Sequence, residues 1–322
     1  MPSEFELIGR YFTRPSRTAA LGVGDDCALV RQPDGLALAI TTDMLVESVH
    51  FFPDVDPESL GHKTLAVNLS DLAAMGAEPR WATLALALPA IDEVWVAAFA
   101  RGLFALAERE GVELIGGDTT RGPLNLCMTL IGLSPTGLAL RRDGACPGDD
   151  IWLSGATGEA ALAVAHRRGT VLLEEADRVA CTRRLEWPQP RTALGKALRG
   201  VASSAIDVSD GLVQDLGHIC ERSGVGAQLV AADLPRAAAV RHQGEAGLTA
   251  LLAGGDDYEL LFTAPPDLRD RVARIGLVCD VPVTRVGVII PTPLVGEHAR
   301  VTVLDERGGA LALGATGFDH FA

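Results

Sequence analysis

Residues 56–76 read DPESLGHKTLAVNLSDLAAMG, and the fold follows from what this stretch does between its neighbours. Asp56 is suited to cap a helix, Pro57 to its first turn and Gly76 to its end. Leu65, Leu69 and Leu72 recur at helical spacing as an apolar stripe, with Thr64, Asn68, Asp71 and Met75 on an adjoining face. Apolar stretches flank this helix, 36–42 before it and 80–88 after it, and both read as strands. Beyond them the pattern predicts a second helix over 92–110, a strand over 112–115 that ends in Gly116-Gly117-Asp118, and a strand over 124–133. Strands and helices alternating in this way predict a mixed α/β domain.

From 134 to 150 the chain turns rich in Gly, Pro and Arg, which marks the crossover to a second domain. The expected division is 1–137 and 138–322, and a chain of 322 residues has room for two domains with separate cores. The second half repeats the mixed pattern, with a strand at 150–154, helices near 158–168 and 175–186, and a break at Pro188-Gln189-Pro190. A short strand over 203–207 leads into a helix that starts at Ser209-Asp210-Gly211 and turns Leu212, Leu216 and Ile219 inward. Further strands are expected at 258–263, 283–289 and 301–304.

Composition removes several function classes. With 28 basic against 42 acidic side chains the formal net charge is −14, and no Lys/Arg cluster is present to read a phosphate backbone, so no nucleic-acid partner is expected. No apolar run approaches the roughly 20 residues of a membrane span, and the first residues lack the basic and apolar regions of a signal peptide, so a cytoplasmic protein without membrane contact is expected. Cys27, Cys127, Cys146, Cys181, Cys220 and Cys279 form no C-x-x-C pair, which argues against zinc, iron–sulfur and dithiol chemistry and for buried or incidental thiols.

Acidic residues gather beside glycines and hydroxyls at 22–26 (GVGDD), 41–43 (TTD), 68–71 (NLSD), 116–122 (GGDTTRG), 207–211 (DVSDG) and 254–259 (GGDDYE), where predicted strands or helices end in loops. One such cluster alone reads as a turn or cap. Their recurrence points to a hard oxygen-liganded cation, Mg²⁺ or Ca²⁺. The calcium loop D-x-[DN]-x-[DN]-G is missing. A polyphosphate ligand would be repelled from such carboxylates by about 4 kcal/mol per unit-charge pair at 4 Å and an effective dielectric near 20, so metal ions would have to bridge the two. Gly-Gly-Asp would let backbone N–H groups approach phosphate oxygens. The P-loop, the protein-kinase signatures, G-x-G-x-x-G and the G-x-S-x-G turn are all absent. These residues by themselves lead to a Mg²⁺-dependent nucleotide enzyme.

In chain order, GVGDDCAL (22–29), TTDMLVESVHF (41–51), KTLAVNLSDLAAMGAEP (63–79), GGDTTRG (116–122), DVSDGL (207–212), GGDDYEL (254–260) and GFDHF (317–321) resemble the thiamine-monophosphate kinase family. The resemblance implies the two-domain fold of the aminoimidazole-ribonucleotide synthetase superfamily. In it the N-terminal domain binds ATP and metal and pairs its sheet in a homodimer, and the C-terminal domain completes the nucleotide and substrate site. It implies ATP as co-substrate, several Mg²⁺ ions, and conversion of thiamine monophosphate to thiamine diphosphate by direct in-line transfer with no side-chain nucleophile. It also implies Asp26, Thr41, Thr42, Asp43, Asp71, Asp118, Asp207 and Asp210 as metal ligands, and Gly117, Asp118, Arg142 and Ser209 as ATP contacts. His50, Asp256 and Phe318 fall on the substrate side. A guanidinium such as Arg142 can hold phosphate oxygens through two parallel hydrogen bonds.

Two positions depart from the family pattern: Asp256 stands where Glu is usual, and Phe318 where Trp or Tyr commonly stacks on the thiamine rings. The alternatives are another ATP-using member of the superfamily or a non-catalytic nucleotide- or metal-binding protein. Against two relatives, a selenophosphate synthetase and a hydrogenase maturation factor, the first Cys lies inside the Gly-Asp-Asp loop and the chain ends His320-Phe321-Ala322.

Overall fold

The computed structural model describes residues 4–23, 27–292, 301–314 and 316–318. These form two compact units, one of Met1–Leu72 with Ala77–Gly137 and one of Ala73–Gly76 with Leu138–Ala322.

The first unit opens with a short helix, α1 (Glu4–Leu7), which continues as a wider turn over Ile8–Phe12. Then come β1 (Leu36–Val46), α2 (Pro57–Ala74), β2 (Glu78–Leu88), α3 (Glu93–Glu110), β3 (Glu113–Arg121) and β4 (Asn125–Pro135). The sheet order is β1-β4-β2-β3, antiparallel except for the parallel pair β2/β3 that α3 connects. Helix α2 begins where its capping residue dictates: Asp56 Oδ1 accepts from Glu58 N at 3.1 Å and the Asp56 carbonyl accepts the first helical bond from Leu60. Asp92 caps α3 through Val94 N and Trp95 N, and Gly111 ends it in the left-handed conformation.

Leu65, Leu69 and Leu72 of α2, Phe99, Leu103 and Leu106 of α3, and Leu84, Leu86, Met128 and Leu130 of the sheet share one core. The polar face of α2 is buried as well, including Lys63, Thr64, Asn68 and Ser70, where an amphipathic stripe predicts exposure. Glycines make this close packing possible. A Cβ on Gly102 would lie 1.8 Å from the Glu58 carbonyl oxygen, and one on Gly61 2.0 Å from that of Phe99, so α2 and α3 touch backbone to backbone.

The second unit contains β5 (Asp150–Ser154), α4 (Glu159–Arg167), α5 (Glu175–Glu186), α6 (Thr192–Ala197), β6 (Ser204–Val208), α7 (Leu212–Ser223), β7 (Gly226–Val230), α8 (Ala238–His242), α9 (Gly244–Ala253), β8 (Glu259–Ala264), α10 (Arg269–Val278), β9 (Val283–Ile290) and β10 (Val301–Leu304). Its sheet order is β10-β7-β9-β5-β8-β6, antiparallel except for β10/β7. Strands β5, β6 and β8 are buried at every position, as continuous apolar runs require. Trp152 and Phe262 stack in the core with ring centroids 6.4 Å apart.

Four features depart from the sequence reading. β1 runs on to Val46 and β3 to Arg121, because β4 pairs with β1 along its whole length and β2 carries β3 past its glycines. The TTD and GGD clusters therefore lie inside strands, and NLSD inside α2, where loop ends were expected. Strand β7 and helices α6, α8, α9 and α10 had no clear periodic signal, since each is short or held by only a few buried residues. Of the cysteines, Cys181 and Cys220 are buried while Cys27 and Cys146 are exposed, so burial is not their common property.

Candidate functional site

In the first unit the side chains of Thr41, Asp43 and Asp71 come together. Asp43 pairs in register with Met128 and Thr41 with Leu130, both core residues, so these two side chains face the helix-covered side of the sheet. There Thr41 Oγ1 donates to Asp71 Oδ2, and Asp43 shares a hydrogen bond with Asp71. Burial, the Asp71 charge and that hydrogen bond lift the Asp43 carboxyl from the ordinary 3.8 to about 7. Two carboxyl groups in contact resist ionising together, and a divalent cation relieves such a pair. The donors are oxygens only, as a hard cation requires.

The other ligands assigned to this unit are not brought to the same place. Thr42 pairs with Thr129 on the opposite, open face, where their hydroxyls lie 2.8 Å apart. Asp118 follows the row of Met44, Cys127 and Ala85, also on that face. Among the described residues no three His, Cys, Asp or Glu side chains converge in metal-ligating geometry. Asp26 lies outside the described residues.

Gly117 is required by the sheet itself. β2 pairs Ala82 with Leu114 and Thr83 with Gly116, so Ile115 is bulged out. At Gly117 φ is 149°, and a Cβ there would lie 2.0 Å from the Leu84 carbonyl oxygen. The glycine thus admits β2, a role the phosphate reading of Gly-Gly-Asp does not include. His50 follows β1, and its Nδ1 accepts from Val46 N at 3.0 Å, which leaves Nε2 to carry the ring hydrogen.

In the second unit Ser209, Asp210, Asp256 and Phe318 surround one loop. The Asp256 N–H donates to the Ser209 carbonyl at 2.8 Å and the Phe318 N–H to the Asp210 carbonyl at 2.9 Å. Asp256 and Tyr258 both hold positive φ, 68° and 52°, and the Tyr258 hydroxyl donates to Asp256 Oδ1 at 3.0 Å. Such strained conformations in non-glycine residues persist where surrounding contacts over-determine them, and they cluster at functional sites. Asp207 is buried inside β6, paired with Leu260. Arg142 is exposed beside the start of β6, its carbonyl accepting from Ser223 Oγ at 2.8 Å, whereas Ser209 follows the strand's last residue.

Residues 24–134 match the family described as AIR synthase related protein, N-terminal domain. The chain is 47% identical to thiamine-monophosphate kinase of Salmonella typhimurium, an alignment that covers 99% of this chain and 98% of the relative. The chain belongs to the thiamine-monophosphate kinase family. The crystal structure of thiamine-monophosphate kinase from Stenotrophomonas maltophilia K279a is similar with a TM-score of 0.84 and 44% identity, covering 95% of this chain and 96% of that one. A structure of AaThiL complexed with AMPPCP and TMP matches with a TM-score of 0.77 and 28% identity, over 90% of this chain and 89% of that one.

Within this thiamine-monophosphate kinase family fold, two carboxylates organise the second unit: Asp215, which the sequence motifs do not include, and Glu259, which closes the 254–259 cluster but was assigned no role. Asp215 Oδ2 accepts from the backbone N–H groups of Ser209, Asp210 and Gly211, each at 3.1 Å. Burial raises its carboxyl to about 6 against the pull of those three bonds. Glu259 is buried and accepts from Ser154 Oγ at 2.5 Å, Arg184 Nη2 at 2.6 Å and Arg191 Nε at 2.7 Å. For Asp215 a signal existed, an acid four residues after Gly211 in the first turn of a helix. Nothing local marks Arg184 and Arg191 as partners of Glu259.

Proposed function

We infer that this chain phosphorylates thiamine monophosphate with ATP, giving thiamine diphosphate and ADP. Membership of the thiamine-monophosphate kinase family supports the reaction. The observation that carries the chemistry is the carboxyl pair Asp43–Asp71 with the Thr41 hydroxyl, an all-oxygen set built into strand and helix. The sets at Asp207 and Asp210, and the remaining ligands Asp26, Thr42 and Asp118, belong to the same reading. Magnesium bound to these residues would supply neutralisation of the charge that two phosphate groups bring together.

The chain's own residues then have separable tasks. Ser209, Gly117, Asp118 and Arg142 hold ATP, with the Arg142 guanidinium free to fork onto phosphate oxygens. His50, Asp256 and Phe318 hold thiamine monophosphate, and Asp256 is itself held by Tyr258. The acceptor phosphate is already anionic at neutral pH, so transfer is direct and in line, and no side chain becomes phosphorylated.

The first 137 residues carry ATP and metal ligands and the dimerisation surface, and residues 138–322 carry further nucleotide and substrate contacts. Support for a homodimer comes from the open face of the first sheet, where Leu38, Ile40 and Met44 of β1 are exposed in one row with Thr42. No helix among the described residues is long and apolar enough to cross a membrane, and we place the protein in the cytoplasm. Incubation with MgATP and thiamine monophosphate, followed by chromatography, should yield thiamine diphosphate. Binding of both compounds without product would favour the non-catalytic alternative.

A further inference from the structure

Phe318 is exposed on a backbone that is held in place. The residue is 43% exposed, and its backbone is held at both ends: its N–H donates to the Asp210 carbonyl at 2.9 Å, and its carbonyl accepts from Gln214 Nε2, also at 2.9 Å. Gln214 makes further connections on the same side of α7. Its backbone N–H donates to the Thr316 carbonyl at 3.1 Å, and its Nε2 lies 3.5 Å from Asp210 Oδ2. The intervening Gly317 is seated directly on the Gln214 side chain, because a Cβ there would lie 2.6 Å from Gln214 Cβ. Asp215, the next residue, fixes the Ser209–Gly211 backbone. A segment near the chain's end is otherwise loosely held, and ordering it on binding costs affinity.

We propose that Gln214 is a positioning residue that pre-sets the Phe318 ring for thiamine monophosphate by tying residues 316–318 to the Asp210 loop. The proposal rests on the kinase reading above. The Gln214 carboxamide is engaged with Phe318 and Asp210. It acts by removing the ordering cost that Phe318 would otherwise incur when the substrate arrives. The carboxamide is required because its N–H₂ group meets two oxygens, the Phe318 carbonyl and the Asp210 carboxylate. A carboxylate of the same shape at 214 would set three acceptors against one another.

The test is steady-state kinetics of the full-length chain and its Gln214→Ala, Gln214→Glu, Phe318→Ala and Gln214→Ala/Phe318→Ala variants, with melting temperatures alongside. Gln214→Ala should raise the KM for thiamine monophosphate about threefold and Gln214→Glu about tenfold, leaving the KM for ATP within about twofold. The double variant should match Phe318→Ala alone, since Gln214 works only through that ring. Gln214→Glu keeps the side-chain volume and serves if the alanine variant folds poorly. An unchanged KM for thiamine monophosphate in both Gln214 variants, while Phe318→Ala raises it, overturns the inference and leaves the kinase reading intact. So does an equal rise in the KM for ATP, or a double variant whose defects multiply. Failure of the unaltered protein to turn over thiamine monophosphate removes the kinase reading, and this inference with it.

Discussion

The acidic groups of the two units look alike as sequence and differ in what compensates them. In the second unit Asp215 collects three backbone N–H groups, and Glu259 collects two guanidinium groups and a hydroxyl. Buried Asp257 accepts from the Gly158 N–H through both oxygens, at 3.0 and 2.9 Å, although burial pushes its carboxyl well up. In the first unit Asp43 meets another carboxyl group, and the two raise one another's cost of ionising. A carboxylate paired with two guanidinium groups, as Glu259 is, has its charge met by the protein and holds the fold together, whereas N–H donors alone only partly offset burial at Asp215 and Asp257. One set against a second carboxylate stores a charge problem that a bound cation solves, which is what a ligand site needs and a structural site avoids.

The contrast can be broken most decisively at Glu259. Glu259→Ala leaves the partly buried Arg184 and Arg191 without their shared anion and should cost about 3 kcal/mol in urea unfolding. Residual folded protein should keep its turnover per molecule. A variant with unaltered unfolding but no activity would put Glu259 among the reacting groups and erase the distinction.

Asp43→Asn and Asp71→Asn make the opposite test. Each should slow transfer on the order of 100-fold, about 3 kcal/mol of transition-state stabilisation. The metal-free Asp43→Asn protein should at the same time melt higher than the unaltered chain, because the strained carboxyl is gone. Loss of activity accompanied by a lower melting temperature would show that Asp43 supports the fold.

A pH series sharpens the same point. Folded Asp43 retains its proton up to about pH 7, whereas the unfolded chain releases it near 3.8. Between those values the folded state binds more protons, so the site's contribution to metal-free stability should fall as pH rises through that window. Asp43→Asn should abolish this slope, and Mg²⁺ should stabilise more at pH 8 than at pH 5. Thermal melts with and without Mg²⁺ across that range measure it. A slope that survives in the Asn variant assigns the effect to other groups.

The smallest effect is expected on the substrate side of the second unit. Phe318→Ala should raise the KM for thiamine monophosphate several-fold, equivalent to about 1 kcal/mol of lost stacking, with little change for ATP. Equal weakening of both substrates would make the 316–318 segment a packing element.

Local features were legible wherever one stretch of chain carries its own instruction. Asp56 and Asp92 cap their helices because capping joins residues two or three apart, and the apolar runs of β2, β4, β5, β6 and β8 declare burial directly. The ordered acidic motifs were enough to identify the chemical class and the family. Short elements such as β7 and α6 escaped, since a few residues cannot display a period.

What tertiary structure alone decided is the company each acid keeps. Thr41 and Asp71 are 30 residues apart, and Glu259 and Arg184 are 75 apart. Whether a carboxylate ends beside a guanidinium, a backbone N–H or another carboxylate therefore depends on sheet register and helix packing. Register also sent Thr42 and Asp118 to the face opposite Asp43, because a strand alternates its side chains whatever their chemistry. The sequence by itself determined which carboxylates and hydroxyls the chain carries and in what order along it. Folding determined which of them meet guanidinium or N–H donors and which meet another carboxyl group, because electrostatic compensation acts through space.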